Sequence, residues 1–144
     1  MNLTDAQIKE IAEMIDCGFR CYVHTHSNEL IFIPDYDRNP EIDIDTWADE
    51  MSKIEENYDE YFELEPLPSH ESFRIMEEFT NTLSQTSRLR DRLIDALENR
   101  RPFRNFKFVI DNSGEFRQHW FDFKAEWLQH WVREQIKNTE SEND

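Results

Sequence analysis

Strand-like runs fall only in the first half of this chain, and that limits what it can fold into. Three short β-prone runs lie before residue 66, at 20–25, 29–33 and 61–65, and the last of them alternates apolar and polar residues. Beyond residue 66 the apolar residues recur only at three- and four-residue spacing. Period two is the mark of a half-buried strand and period 3.6 that of an amphipathic helix. Strands first and helices afterwards indicate an α+β class with a small antiparallel sheet.

A finer reading gives the order αββαβ followed by four helices. Thr4 and Gln7 are spaced as a capping box, and Ile8, Ile11, Ala12 and Ile15 share one face, so the first helix covers about residues 5–17. Gly18 then suits the left-handed position after a helix. In the hairpin, a two-residue loop at Ser27-Asn28 sets Val23 opposite Phe32 and Thr25 opposite Leu30. Cys21, Val23, Leu30 and Phe32 then share one sheet face, with Tyr22, His24, Ile31 and Ile33 on the other. Pro34 ends the second strand. Asp45 is placed to cap the second helix, with Trp47, Met51, Ile54 and Tyr58 inward. A third strand at 61–65 stops at Pro66 and Pro68. The third helix starts at Ser69 and the fourth covers 86–98. Pro102 at the first helical position opens the fifth, which is expected to bury Phe103, Phe106 and Ile110. The last, about 115–137, carries Phe116, Trp120, Phe123, Trp127 and Trp131 in one strip and Phe121, Leu128, Val132 and Ile136 in a second. Trp127, flanked by aromatic residues, is expected deep in the core.

A chain of 144 residues suggests one domain, here 1–137, with an acidic αββαβ part at 1–68 and a helical part at 69–137. Residues 138–144 hold nothing apolar and are expected to fray. Aromatic residues make up 13% of the chain, which excludes an acidic disordered segment. No apolar run approaches the roughly 20 residues of a membrane span. The first residues lack the basic and apolar regions of a signal peptide. Two cysteines make no disulfide framework, so a cytoplasmic protein with reduced thiols is expected.

Charge is unevenly placed. Of 32 acidic and 16 basic residues, 1–83 hold 21 acidic and five basic, whereas 84–144 hold eleven of each. Seven basic residues against three acidic ones fall within 84–110. Arg100, Arg104 and Lys107 lie at i, i+4 and i+7 on one face of the fifth helix, with Arg101 beside them. Such a strip at a helix start suits an anion. It is also the nearest counter-charge for the acidic part, and intramolecular pairing is the expected role. A net charge of −16 repels nucleic acid and anionic membrane at long range.

Other chemistry-bearing types are weaker signals. Cys17, Cys21, His24 and His26 are metal-ligand types, but their spacing matches no common zinc module and alternation separates Cys21 from His24. Asp35, Asp37 and Asn39 echo the start of a calcium loop, yet Pro40 replaces its glycine and Thr46 its bidentate glutamate. No metal and no cofactor is expected. His24, Glu63 and Glu65 share a sheet face if the third strand pairs with the hairpin, and a His beside carboxylates is acid/base-capable.

Several segments resemble a bacterial family catalogued as uncharacterised protein family 158. They are residues 15–34, Trp47-Ala48-Asp49-Glu50, Phe62 to Pro66, Phe73 to Glu77, Arg101 to Lys107 and Trp120 to Phe123. The resemblance covers about nine-tenths of the chain. It implies a bacterial cytoplasmic protein and brings no catalytic residue. The expected function is a non-catalytic acidic protein-interaction or regulatory module. The alternatives are an RNA- or phosphate-binding protein using Arg100, Arg101, Arg104 and Lys107, and a metal-dependent enzyme at the hairpin histidines.

Overall fold

The computed structural model describes residues 2–37 and 39–142. The chain divides into two compact units, Met1–Leu67 with Leu128–Asp144, and Pro68–Trp127. The second half of the last helix belongs with the αββαβ part.

In unit one, helix α1 (Asp5–Asp16) begins at Thr4, whose hydroxyl accepts from the Gln7 N–H while the Gln7 side chain reaches back. Ile8, Ile11, Ala12 and Ile15 are its buried face. The helix ends at Cys17, and Gly18 follows at φ 87°, a left-handed conformation that a side chain would oppose. Strands β1 (Phe19–His24), β2 (Leu30–Pro34) and β3 (Tyr61–Leu64) form an antiparallel sheet in the order β2-β1-β3. The fold is α+β, and its elements follow the expected order.

The hairpin register differs from the expected one by two residues. Val23 lies opposite Leu30, and Cys21 opposite Phe32. The turn is longer than two residues because the His24 side chain organises it: Nδ1 accepts the N–H groups of His26 and Ser27 at 3.2 and 3.1 Å. A slip of two preserves the faces. Cys21 and Val23 are fully buried on one of them. Ile31 and Ile33 on the other join Ile54 in a second small core, against Tyr22, Tyr36, Met51 and Tyr61.

Helix α2 (Ala48–Glu56) follows a 3-10 turn, Ile44–Trp47, whose cap is Asp43 rather than Asp45. The helix stops before Tyr58, which is 69% exposed and not part of the inner face. Trp47 meets Phe19 edge to face at 5.7 Å.

Unit two is helical: α3 (Ser69–Thr82), α4 (Arg88–Glu98), α5 (Pro102–Asp111) and the start of α6 (Phe116–Glu142). Trp120 sits edge to face with Phe79 at 5.3 Å and Phe106 at 4.8 Å, and Phe123 meets Phe79 at 5.5 Å. Pro102 holds the expected first position of α5. Phe103, expected inside, is 46% exposed: it shares the face of Phe106 and Ile110 but lies in the first turn, where its ring meets Phe73 edge to face at 6.4 Å. Phe121 is exposed as well, so the second strip of α6 begins only at Leu128. Trp127 is half-buried and not deep: its indole N–H donates to Glu78 Oε2 at 2.5 Å, and that polar partner keeps the ring at the surface. Helix α6 runs on to Glu142, so residues 138–142 are helical where fraying was expected. The Thr139 hydroxyl donates to the Gln135 carbonyl there. Residues 143–144 lie outside the described residues.

Candidate functional site

The wet face of the sheet is organised by one cation. Strand alternation puts Arg20, Tyr22 and His24 on the same side, and pairing of β1 with β3 brings Glu63 opposite Tyr22. Arg20 Nη1 donates to Glu63 Oε1 at 2.7 Å, and its guanidinium lies 3.5 Å from Asp35, 3.8 Å from Asp37 and 3.9 Å from Glu65. The Glu63 bond, then the Asp35 and Glu63 charges, hold Arg20 protonated against its partial burial. Tyr22 donates to the same Glu63 oxygen at 3.3 Å, and burial, then Glu63, pushes its phenol up to about 12. Both groups therefore keep their protons at neutral pH. A hollow of about 280 Å³ opens beside them, floored by Ile33 and Ile54.

The hairpin histidines do not make a metal centre with the cysteines. His24 Nδ1 accepts two backbone N–H groups, so the ring proton is on Nε2, which faces Glu60 Oε2 at 3.3 Å. Cys21 is on the opposite face, and burial pushes its thiol up to about 12. Cys17 is exposed at the end of α1. Among the described residues no three His, Cys, Asp or Glu side chains gather as ligands. In the loop after β2, Asp35 and Asp37 turn to Arg20, and the Asn39 amide donates to the Asp35 carbonyl oxygen. His24 and Glu63 share a face as expected, but Glu63 bonds to Arg20 rather than to His24.

The four expected site residues are together at the start of α5, and all are exposed. Arg101 is its N-cap residue at φ 57°, with no side-chain cap. Among the described residues, no carboxylate lies within 4.0 Å of Arg100, Arg101, Arg104 or Lys107, nor of Arg88, Arg90 or Arg92 on α4. The cations that do pair are elsewhere: Arg20, Lys53 with Glu29, Arg74 with Glu78, Arg117 with Asp111 and Arg133 with Asp5.

The units differ sharply in charge. Unit one holds 22 acidic and six basic residues, the entire net −16, and unit two holds ten of each. A second hollow in unit one, about 520 Å³, lies along β2 below α2.

Comparison with known families covers nearly the whole chain. The family described as Uncharacterised protein family (UPF0158) matches residues 3–143. The chain belongs to that family. A relative named UPF0158 protein PA5073, from Pseudomonas aeruginosa strain PAO1, is 23% identical over 134 residues, 92% of this chain and 82% of its own. No solved structure matches. No helix among the described residues is long and apolar enough to cross a membrane.

The Arg20 cluster was not found by sequence reasoning. Its signal was available: Arg20 is one of two arginines in the first 70 residues, and it shares parity with Tyr22 and His24.

Proposed function

We propose that this UPF0158 protein is a non-catalytic interaction module whose acidic unit one takes a positively charged segment of a partner protein. The observation that carries the reading is the segregation of charge. All of the net −16 belongs to unit one, whose own six basic residues cannot balance its 22 acidic ones. An acidic surface with so few counter-charges of its own steers cationic partners and repels nucleic acid. The state of the reactive side chains supports a role without chemistry. Cys21 stays a thiol, Tyr22 a phenol and Arg20 a guanidinium at neutral pH, so none is poised to attack or to move a proton. Two free thiols support a reducing, cytoplasmic setting.

The test is capture from the native cell with the tagged full chain after nuclease treatment. Asp43→Asn, Asp45→Asn and Asp49→Asn together are expected to abolish capture of basic proteins. Arg100→Gln, Arg104→Gln and Lys107→Gln together are expected to leave it intact. The reverse pattern overturns the reading.

A second reading has its own observation, the unpaired cations at the start of α5, where free helix N–H groups face the same way. Through Arg100, Arg101, Arg104 and Lys107 the chain would hold the phosphates of RNA. Filter binding of single-stranded RNA tests it: a complex that weakens steeply with salt and is lost in the triple Gln variant would support this reading.

A further inference from the structure

Strand β2 lies at the edge of the sheet, because β1 occupies the centre. The ladder fixes which of its backbone groups look outward. The His24 N–H donates to the Glu29 carbonyl at 2.9 Å, and the Asp35 N–H to the Gly18 carbonyl at 3.0 Å. With the register between them, residues 29, 31, 33 and 35 turn their backbone groups toward β1. The N–H and C=O groups of Leu30 and Phe32 therefore point away from the sheet, and no partner for them occurs among the described residues.

The hollow of about 520 Å³ follows this edge. It touches Leu30, Ile31 and Phe32 in succession. Ile31 is on the opposite face from its two neighbours, so a space that reaches all three runs along the strand and not over one face. Met14 and Trp47 make the rest of its apolar lining. The polar lining is Glu29, Asp49, Glu50 and Lys53, and Lys53 already bonds to Glu29 at 2.5 Å. Asp49 and Glu50, in the first turn of α2, are left to set the sign of what enters.

We propose that β2 accepts an extended peptide from a partner protein as a fourth strand, with apolar residues on one side and Lys or Arg on the other. Strand addition to a free edge draws affinity from main-chain hydrogen bonds and specificity from alternate side chains. Here the apolar side chains would settle on Met14, Phe32 and Trp47, and the cations would face Asp49 and Glu50. The usable edge is short. Pro34 offers no N–H, and Asn28 at φ 63° turns the chain away, so pairing is confined to the two outward residues and their flanks. This inference rests on the acidic-module reading and names its site.

The probe is a synthetic peptide of about eight residues alternating Val and Lys, long enough to span the edge at about 3.3 Å per residue. It is added to the full chain and followed by amide hydrogen exchange. Binding is expected to slow exchange at Leu30 and Phe32 by about tenfold or more, with Ile31 and Ile33 unchanged because β1 already holds them. N-methylation of alternate peptide amides is expected to abolish binding in one register and spare it in the other. Asp49→Asn with Glu50→Gln is expected to weaken binding about tenfold at low salt and by less at high salt. Binding without protection of Leu30 and Phe32, or indifferent to methylation, overturns the groove and leaves the acidic-module reading standing. Failure of the peptide to bind at any salt, together with failure of the native-cell capture, overturns both.

Discussion

Replacing Arg20 with Met removes the cation and keeps most of the aliphatic stem, so the change isolates charge from packing. Four carboxylates are then left together. The bond to Glu63 at 2.7 Å is half-buried and charge-assisted, which makes it worth about 1.5–3 kcal/mol. Asp37 and Glu65 are 91% and 75% exposed, and each adds at most about 1 kcal/mol. The Asp35 carboxylate is only 6% exposed and cannot recover the loss in water. A total near 3 kcal/mol follows, and with a urea slope of about 2 kcal/mol/M the midpoint falls by about 1.5 M. Burying Met does not offset this, because the carboxylates remain and repel each other. Arg20→Lys is expected to recover only part, since an ammonium cannot bridge Glu63 and Asp35 as a fork. Urea titrations of the wild type, Arg20→Met, Glu63→Gln and the double variant give the coupling directly. A stability loss below about 0.5 kcal/mol with no coupling would refute the reasoning and make the cluster an ordinary solvated face.

Four further outcomes are expected. Cys17 reacts at once with a thiol reagent in the native protein and Cys21 only on unfolding; two fast thiols would contradict the buried position of Cys21. The raised thiol of Cys21 releases its proton more readily unfolded than folded, so stability is intact below pH 9 and declines from there to about 12, by roughly 1.4 kcal/mol per pH unit, in pH-dependent melts. Trp127→Phe costs about 1–2 kcal/mol, through loss of the Glu78 bond, rather than the 3–5 kcal/mol of a buried Trp truncation. Arg104→Glu leaves the melting midpoint within about 0.5 kcal/mol at low and high salt, since no carboxylate is released and a negative charge suits the first turn of α5; a salt-sensitive loss would restore the counter-charge role.

What the sequence made legible was local. The capping box at Thr4 and Gln7 needs four residues, and Gly18 needs only the end of a helix. The sheet faces were legible although the hairpin register was not, because a slip of two changes neighbours and leaves sides alone. The register depended on a His24 side chain closing its own turn, which no strand pattern announces. Trp127 was misplaced for a related reason: helical spacing groups it with Trp120, but one hydrogen bond to Glu78 decides which ring stays wet. The Arg20 cluster joins residues more than 40 positions apart and required the pairing of β1 with β3. The charge division was half legible. Composition located the acidic stretch, and only the fold assigned residues 128–144 to it.

The division of α6 also has a consequence in time. Unit one needs Leu128, Val132 and Ile136, which are buried and are made long after its three strands. Unit two is drawn from one uninterrupted stretch and can close as soon as α6 begins to emerge. The stretch before residue 68 must therefore wait, with its apolar strands incompletely covered, until Ile136 has been made. Its dense negative charge would keep those nascent strands apart from one another during that interval.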